Sequence, residues 1–369
     1  PDEPEWHANL AQLSLALGSV TAAIQHWEAA FNLRPQQAEY AWRLGAVYID
    51  ARNYGKAIDT LETASRLDGK DGRIWLALSE AYLRAGHLDR ALQCAQRAAA
   101  LDPDSLQGML LQGEILIQMG NLNAAQEISD RAMLRGNTIP EVVVFNVHLL
   151  EKRGKLHEAL SVLEKAADLL SGELPVQLER AQLIRQVYGP AAALPVITDV
   201  ARRFPGITSA LALLATIQYE CKDLAGAEKS AQQALSHEPE LGDLQRLMGR
   251  IMTDGGQLDQ AVYHLSQAVQ LNPADVESYL DLGKVYQDRR EHEKAVVTFK
   301  QAIKAAPRDT RAYVLAASAL REVTDYSSAE SMLRKASELA PNDLSIHRQL
   351  GAVIALNLVQ HSQEAQAWH

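Results

Sequence analysis

The sequence predicts an all-α solenoid, a linear array of amphipathic helical hairpins. Three observations carry that expectation. The chain is 47% apolar but only 5% aromatic, and alanine is abundant, which favours helix over strand. Prolines stand at 35, 103, 205, 239, 273, 307 and 341, every interval a multiple of 34. In the same period alanine returns without exception at Ala23, Ala57, Ala91, Ala125, Ala159, Ala193, Ala227, Ala261, Ala295 and Ala329.

Each 34-residue unit opens with a helical pattern, as in Trp75, Leu78 and Tyr82, whose spacing puts the apolar residues on one stripe. The eighth place of this first helix is Ala11, Gly45, Ser79, Gly113, Ala181, Ala215, Gly249, Gly283, Ala317 or Gly351, with Val147 as the one bulky member. Small residues recurring there mark the points where two helices approach closely. A short turn follows, such as Ala85-Gly86-His87 or Met119-Gly120-Asn121. The second helix carries the invariant alanine and, seven places on, another: Ala30, Ala64, Ala98, Ala132, Ala166, Ala234, Ala268, Ala302 and Ala336, with Val200 the exception. Asp102-Pro103-Asp104, Asn272-Pro273-Ala274 and Ala340-Pro341-Asn342 end it, because proline has no amide to continue the helix.

Repeat nine, through Tyr279, Leu282-Gly283, Tyr286, Ala295, Phe299, Ala302 and Pro307, resembles the tetratricopeptide-repeat pattern. Repeat starts at 4, 38, 72, 106, 140, 174, 208, 242, 276, 310 and 344 give one solenoid over 4–358, ten helix pairs and one extra helix. The resemblance implies a right-handed superhelix with the first helices lining a concave face. The stretch 136–205 fits least well: Asn137 and Ser171 replace the terminal proline, and Pro195 falls inside a second helix, where a kink and a hinge between the two halves are expected. Residues 359–369 lose the alanine place to Gln363 and are expected to form a tail or an irregular cap.

The net charge of −10 has no basic half, so nucleic acid is not an expected partner, and no apolar run is long enough for membrane insertion. Cys94 and Cys221 sit several repeats apart and form no disulfide framework, which slightly favours a reducing, cytoplasmic setting. Since the sequence starts at Pro1 and not at Met, it is expected to be a processed or cloned fragment, which leaves the presence of a targeting segment, and so the compartment, open. No phosphate loop, dinucleotide fingerprint, HExxH helix, paired CxxC or GxSxG elbow occurs, so neither catalysis nor a cofactor is expected. His148 and Glu151, one turn apart, are read as surface residues and not as metal ligands.

If the first helices line the concave face, their second, fifth, ninth and twelfth places share one stripe. Read through repeats two to five, the stripe offers Trp42, Ile49, Leu76, Glu80, Leu83, Leu110, Glu114, Ile117, Val144 and His148, an apolar trough with polar rungs. Repeats eight to ten are locally basic through Arg246, Arg250 and Lys284. The ninth places carry no asparagine, so the carboxylate clamp by which some family members hold chaperone C-termini is not expected. The function expected is an adaptor or scaffold holding a peptide or protein segment in the groove, with Trp42 as its aromatic anchor. The alternatives are a recruiting or regulatory arm of a larger enzyme, and a module that self-associates through its last helix or tail.

Overall fold

The computed structural model describes residues 3–167 and 169–367. They form helical hairpins, with no strand among the described residues: α1 (Pro4–Ala16) with α2 (Val20–Leu33), α3 (Ala38–Asp50) with α4 (Tyr54–Leu67), α5 (Gly72–Arg84) with α6 (Leu88–Leu101), α7 (Leu106–Gln118) with α8 (Leu122–Arg135), and α9 (Pro140–Lys152) with α10 (Leu156–Ala166). After these come α11 (Leu174–Tyr188), α12 (Pro190–Arg203), α13 (Thr208–Glu220) with α14 (Leu224–His237), α15 (Gly242–Asp254) with α16 (Leu258–Leu271), α17 (Val276–Asp288) with α18 (His292–Ala305), α19 (Thr310–Glu322) with α20 (Tyr326–Leu339), and α21 (Leu344–Ala367). Every first helix begins at the residue where the 34-residue register starts a repeat.

Local chemistry sets the ends. Side chains of Asn53, Asp71, Ser105, Asn121, Asp223, Asp275, Asp309 and Asp325 accept backbone amides at helix starts, satisfying donors that have no partner inside the helix. Nine of the hairpins turn on one left-handed residue at the fifteenth place. Glycine fills it at Gly18, Gly86, Gly120, Gly154 and Gly256, whereas Arg52, Lys222, Arg290 and Thr324 hold the same conformation with a side chain attached. The fourth place of a first helix ties the hairpin to the loop before it. Trp75 Nε1 donates to the Gly69 carbonyl at 3.0 Å, Gln245 to that of Pro239 at 2.9 Å and the Tyr313 hydroxyl to that of Pro307 at 3.0 Å.

The recurring alanines are the contact points of the hairpins, all ten at 0% exposure. Gly45, Gly249 and Gly283, at the eighth place, are tighter still. A Cβ on Gly45 would lie 2.4 Å from Leu61 Cγ, on Gly249 2.5 Å from Leu265 Cγ, and on Gly283 2.3 Å from Phe299 Cε1. Ser79, at that place in the third repeat, is fully buried and donates its hydroxyl to the Ala91 carbonyl at 2.8 Å.

The chain divides into two compact units, Pro1–Leu183 and Ile184–His369, with the boundary inside α11. That is within the stretch where the repeat pattern is weakest. Here α11 runs to Tyr188 and the left-handed residue moves one place on, to Gly189. Pro190 opens α12, and the helix runs on through Pro195 to Arg203.

The C-terminal residues continue the last helix. α21 is one helix of 24 residues, so 359–367 prolong it and do not form an irregular cap. The run Gln360 to Ala367 contains no glycine or proline and is rich in Gln and Ala, which have no reason to end a helix. Trp368 and His369 lie outside the described residues. Among the described residues no helix is long and apolar enough to cross a membrane.

Candidate functional site

The N-terminal unit contains a groove of about 910 Å³ running across α5, α7, α9 and the start of α11. Its lining follows the register: Gln107, Leu110 and Glu114 on α7, then Glu141, Val144 and His148 on α9, hold the second, fifth and ninth places of consecutive repeats. These places fall on one face of an α-helix. Glu80 and Arg84 of α5 close one end, and Glu173 and Pro175 the other. Of the residues singled out from the sequence, the groove brings together Glu80, Leu110, Glu114, Val144 and His148.

Its floor depends on a local exception. In three of the hairpins with glycine at the eighth place, the space over it is filled by a large residue on the second helix of the same hairpin, Leu61, Leu265 or Phe299. Repeat four has Ser129 there instead. Its hydroxyl bonds to Asn146 Oδ1 at 3.1 Å, and Phe145 of α9 reaches over to fill the space above Gly113. A Cβ on Gly113 would stand 2.3 Å from Phe145 Cζ, so only glycine admits the ring. Phe145 thereby enters the groove lining together with Leu110 and Val144.

The rim is acidic. Arg84 lies 3.6 Å from Glu80, and Gln118 donates to Glu114 at 3.3 Å. Glu114, Glu141 and Glu173 have no ion-pair partner among the described residues. His148 Nε2 is 3.2 Å from Glu179 Oε1 on α11. That bond raises the imidazole pKa above its usual value; burial opposes the shift, and the charges of Glu179, Glu114 and Glu151 reinforce it. Ligand atoms of His148, Glu151 and Glu179 lie within 4.8 Å of one another, so these three are the residues here that are placed to hold a cation. The sequence offered His148 and Glu151 one turn apart; Glu179, on the next first helix, has no sequence signal.

The rest of the expected stripe is elsewhere. Leu83 and Ile117, at 8% and 5% exposure, belong to the core and not to the groove, because the twelfth place turns under the neighbouring first helix. Ile49 packs against the same core, and Leu76 sits beside Gly108, whose Cβ would be 3.3 Å from Leu76 Cδ2. Trp42 is half-buried against Phe31 and Ile74, with the guanidinium groups of Arg43 and Arg73 each 4.4 Å from its ring centroid. Both arginines also pair with Glu39, at 2.8 and 3.2 Å. The ring is thus a platform for the chain's own cations. In the C-terminal unit Arg246, Arg250 and Lys284 surround one acid, Asp281. Burial raises its pKa, and Arg250, Lys284 and Arg246 pull it down. Arg246 lies 3.6 Å from Asp275 and 3.9 Å from Asp281, Lys284 is 4.0 Å from Asp281, and Arg250 also stacks 5.0 Å from the Tyr219 ring.

Family models described as tetratricopeptide repeat match residues 8–72, 48–112, 276–309 and 310–343, and one described as TPR repeat matches 249–289. No curated protein matches the chain in sequence. Among solved structures, a chain of the APC/C hetero-tetramer Cut9-Hcn1 superposes with a TM-score of 0.56 at 12% identity, covering 95% of this chain and 96% of that one. The yeast Tom70 structure gives 0.54 at 13% identity, with coverage of 97% and 90%. A tetratricopeptide repeat protein from Parabacteroides merdae gives 0.55 at 16% identity, with 68% and 98%. At these identities the likeness speaks for the fold alone.

Proposed function

Because this chain belongs to the tetratricopeptide-repeat family, a fold of protein-interaction scaffolds, we propose that it holds a segment of a partner polypeptide in the groove over α5, α7 and α9. The observation that supports this reading is the groove itself, with an apolar floor of Leu110, Val144 and Phe145 inside a polar rim. Such a floor rewards apolar side chains, and the rim fixes their register. The site therefore lies two repeats beyond Trp42, which is engaged by Arg43 and Arg73. The test is a photo-crosslinking amino acid placed at Gln107 in the groove or at Leu134, 88% exposed on α8. Partner peptide attached from 107 and not from 134 agrees with the reading; the reverse refutes it.

A second reading concerns α21, which exposes Leu356, Leu358 and Val359. Gly351, at the close-contact place, has no atom within 4 Å of where its Cβ would stand, in contrast to Gly283. We propose that this face meets a second copy of the chain. Sedimentation of the wild type against Leu358→Lys checks it, since an unchanged monomer in both would dismiss self-association.

A further inference from the structure

We infer that the groove of the N-terminal unit accepts a cationic, apolar segment, in which lysines or arginines meet Glu114, Glu141 and Glu173 while apolar side chains rest on Leu110, Val144 and Phe145. This rests on the groove reading above and names its partner class.

The argument is one of charge accounting. The lining holds four glutamates, one arginine and His148; Arg84 answers Glu80, and His148 is bonded to Glu179, which lies outside the lining. The other three carboxylates have no cation within salt-bridge distance among the described residues. The C-terminal unit provides the contrast. Its basic residues are largely answered from within: Arg246 by Asp275 and Asp281, Lys284 by Asp281, Arg250 by the Tyr219 ring, and, in the next repeat, Arg311 by Glu277 at 2.5 Å and Asp309 at 2.7 Å. In the N-terminal groove the account stays open by about three negative charges.

An occupant must close it. A wholly apolar segment would shed water from those carboxylates without offering a donor, which is costly. An acidic segment, or the phosphates of a nucleic acid, would meet like charge. Lysine and arginine satisfy both halves of the site, because their stems lie along apolar surface while the charged head reaches the rim. Register sharpens the expectation. Neighbouring first helices touch, at spacings of roughly 8–10 Å. An extended chain rises about 3.3 Å per residue. Glu114 and Glu141 also stand seven register places apart, a further rise of about 10 Å along the helix, so they are separated by about 14 Å and the cations of the segment should stand about four residues apart.

The experiment uses a displayed library of random twelve-residue peptides selected on the whole chain. Enriched peptides are titrated by fluorescence anisotropy against wild type, Leu110→Asp and the double variant Glu114→Lys, Glu141→Lys, each first checked for native helix content. Expected are peptides with two or more Lys or Arg about four residues apart among Leu, Ile or Phe. They should bind the double variant about tenfold or more weakly, and wild type less tightly as salt rises. The double variant should itself select acidic peptides, which separates altered charge from misfolding. Peptides that need Leu110 but show no excess of cations, or that bind the double variant unchanged, would overturn the charge inference and leave the groove standing. If no enriched peptide is sensitive to Leu110→Asp, the groove reading falls as well.

Discussion

Gly283 and Gly351 hold the same place in the repeat, yet replacing each by alanine should change stability in opposite directions. In a helix interior alanine is favoured over glycine by about 1 kcal/mol. At 351 nothing lies within 4 Å of the new Cβ, so most of that gain should appear, roughly 0.5–1 kcal/mol. At 283 the Cβ would stand 2.3, 2.6 and 2.7 Å from Phe299 Cε1, Cζ and Cδ1. Ordinary carbon contacts are about 3.5–4.0 Å, so the ring would have to retreat by about 1 Å. Phe299 is fully buried among Leu280, Ala295, Ala302 and Tyr313 and has no free direction. Overpacking of that kind costs about 1–3 kcal/mol, leaving a net loss of up to about 2 kcal/mol after the propensity gain. The assay is guanidinium denaturation followed by far-ultraviolet circular dichroism. Because repeat arrays need not unfold in one step, amide exchange in α17, α18 and α21 should localise the change. Two midpoints moving in the same direction, or Gly283→Ala unfolding at or above the wild-type midpoint, would refute the close-contact reasoning.

Thr324 occupies the left-handed turn place with φ 59°, a position where other hairpins carry glycine; Thr324→Gly should stabilise by roughly 0.5 kcal/mol in the same denaturation assay, relief of strain exceeding the entropy glycine adds. His148 has a raised pKa through Glu179, with Glu114 and Glu151 also facing it, so its contribution is fully present below the unfolded value near 6.5 and fades as pH rises through the folded value. Wild type should therefore exceed His148→Gln in stability by more at pH 5.5 than at pH 8.5, and a gap independent of pH would discount the pair. Burial pushes the Cys94 thiol up to about 11, so iodoacetamide at pH 8 should leave it unmodified in the folded chain and label it after denaturation, as mass spectrometry of its peptide would show. Trp42→Ala should cost about 2 kcal/mol of stability by removing the ring under Arg43 and Arg73, while affinity for groove-bound peptides stays unchanged.

The fold was legible because ten hairpins make the same steric demand. Ala261 and Ala295 are buried at 0% for the reason their recurrence implied, and the eighth-place glycines admit Leu265 and Phe299 as their smallness implied. A period carries no information about pairs that do not repeat. Glu179 reaches His148 from 31 residues away, and Arg73 caps Trp42 from the next repeat; neither belongs to a recurring pattern. The twelfth-place residues Leu83 and Ile117 were assigned to the trough by helical spacing alone, which fixes the face of a helix but not how far the neighbouring helix covers its edge.

The groove also illustrates where such a chain can differ from an ideal array of itself. Had Ser129 been leucine, like the matching Leu61 and Leu265, the space over Gly113 would have been filled from within its own hairpin and would have left no room for Phe145. The same stretch loses its terminal proline at Asn137 and places Glu141 and Glu173 on the rim without partners. The regular places specify a face along the hairpins, and the departures at Ser129, Phe145, Glu141 and Glu173 decide which part of that face has depth and uncompensated charge. A variant restoring leucine at 129 would overfill the space that Phe145 occupies. It should expel that ring, alter the groove floor and weaken peptide binding, while Ser129→Ala, which keeps the space, should leave binding intact. If the two variants bind groove peptides equally well, Phe145 is not what shapes the floor.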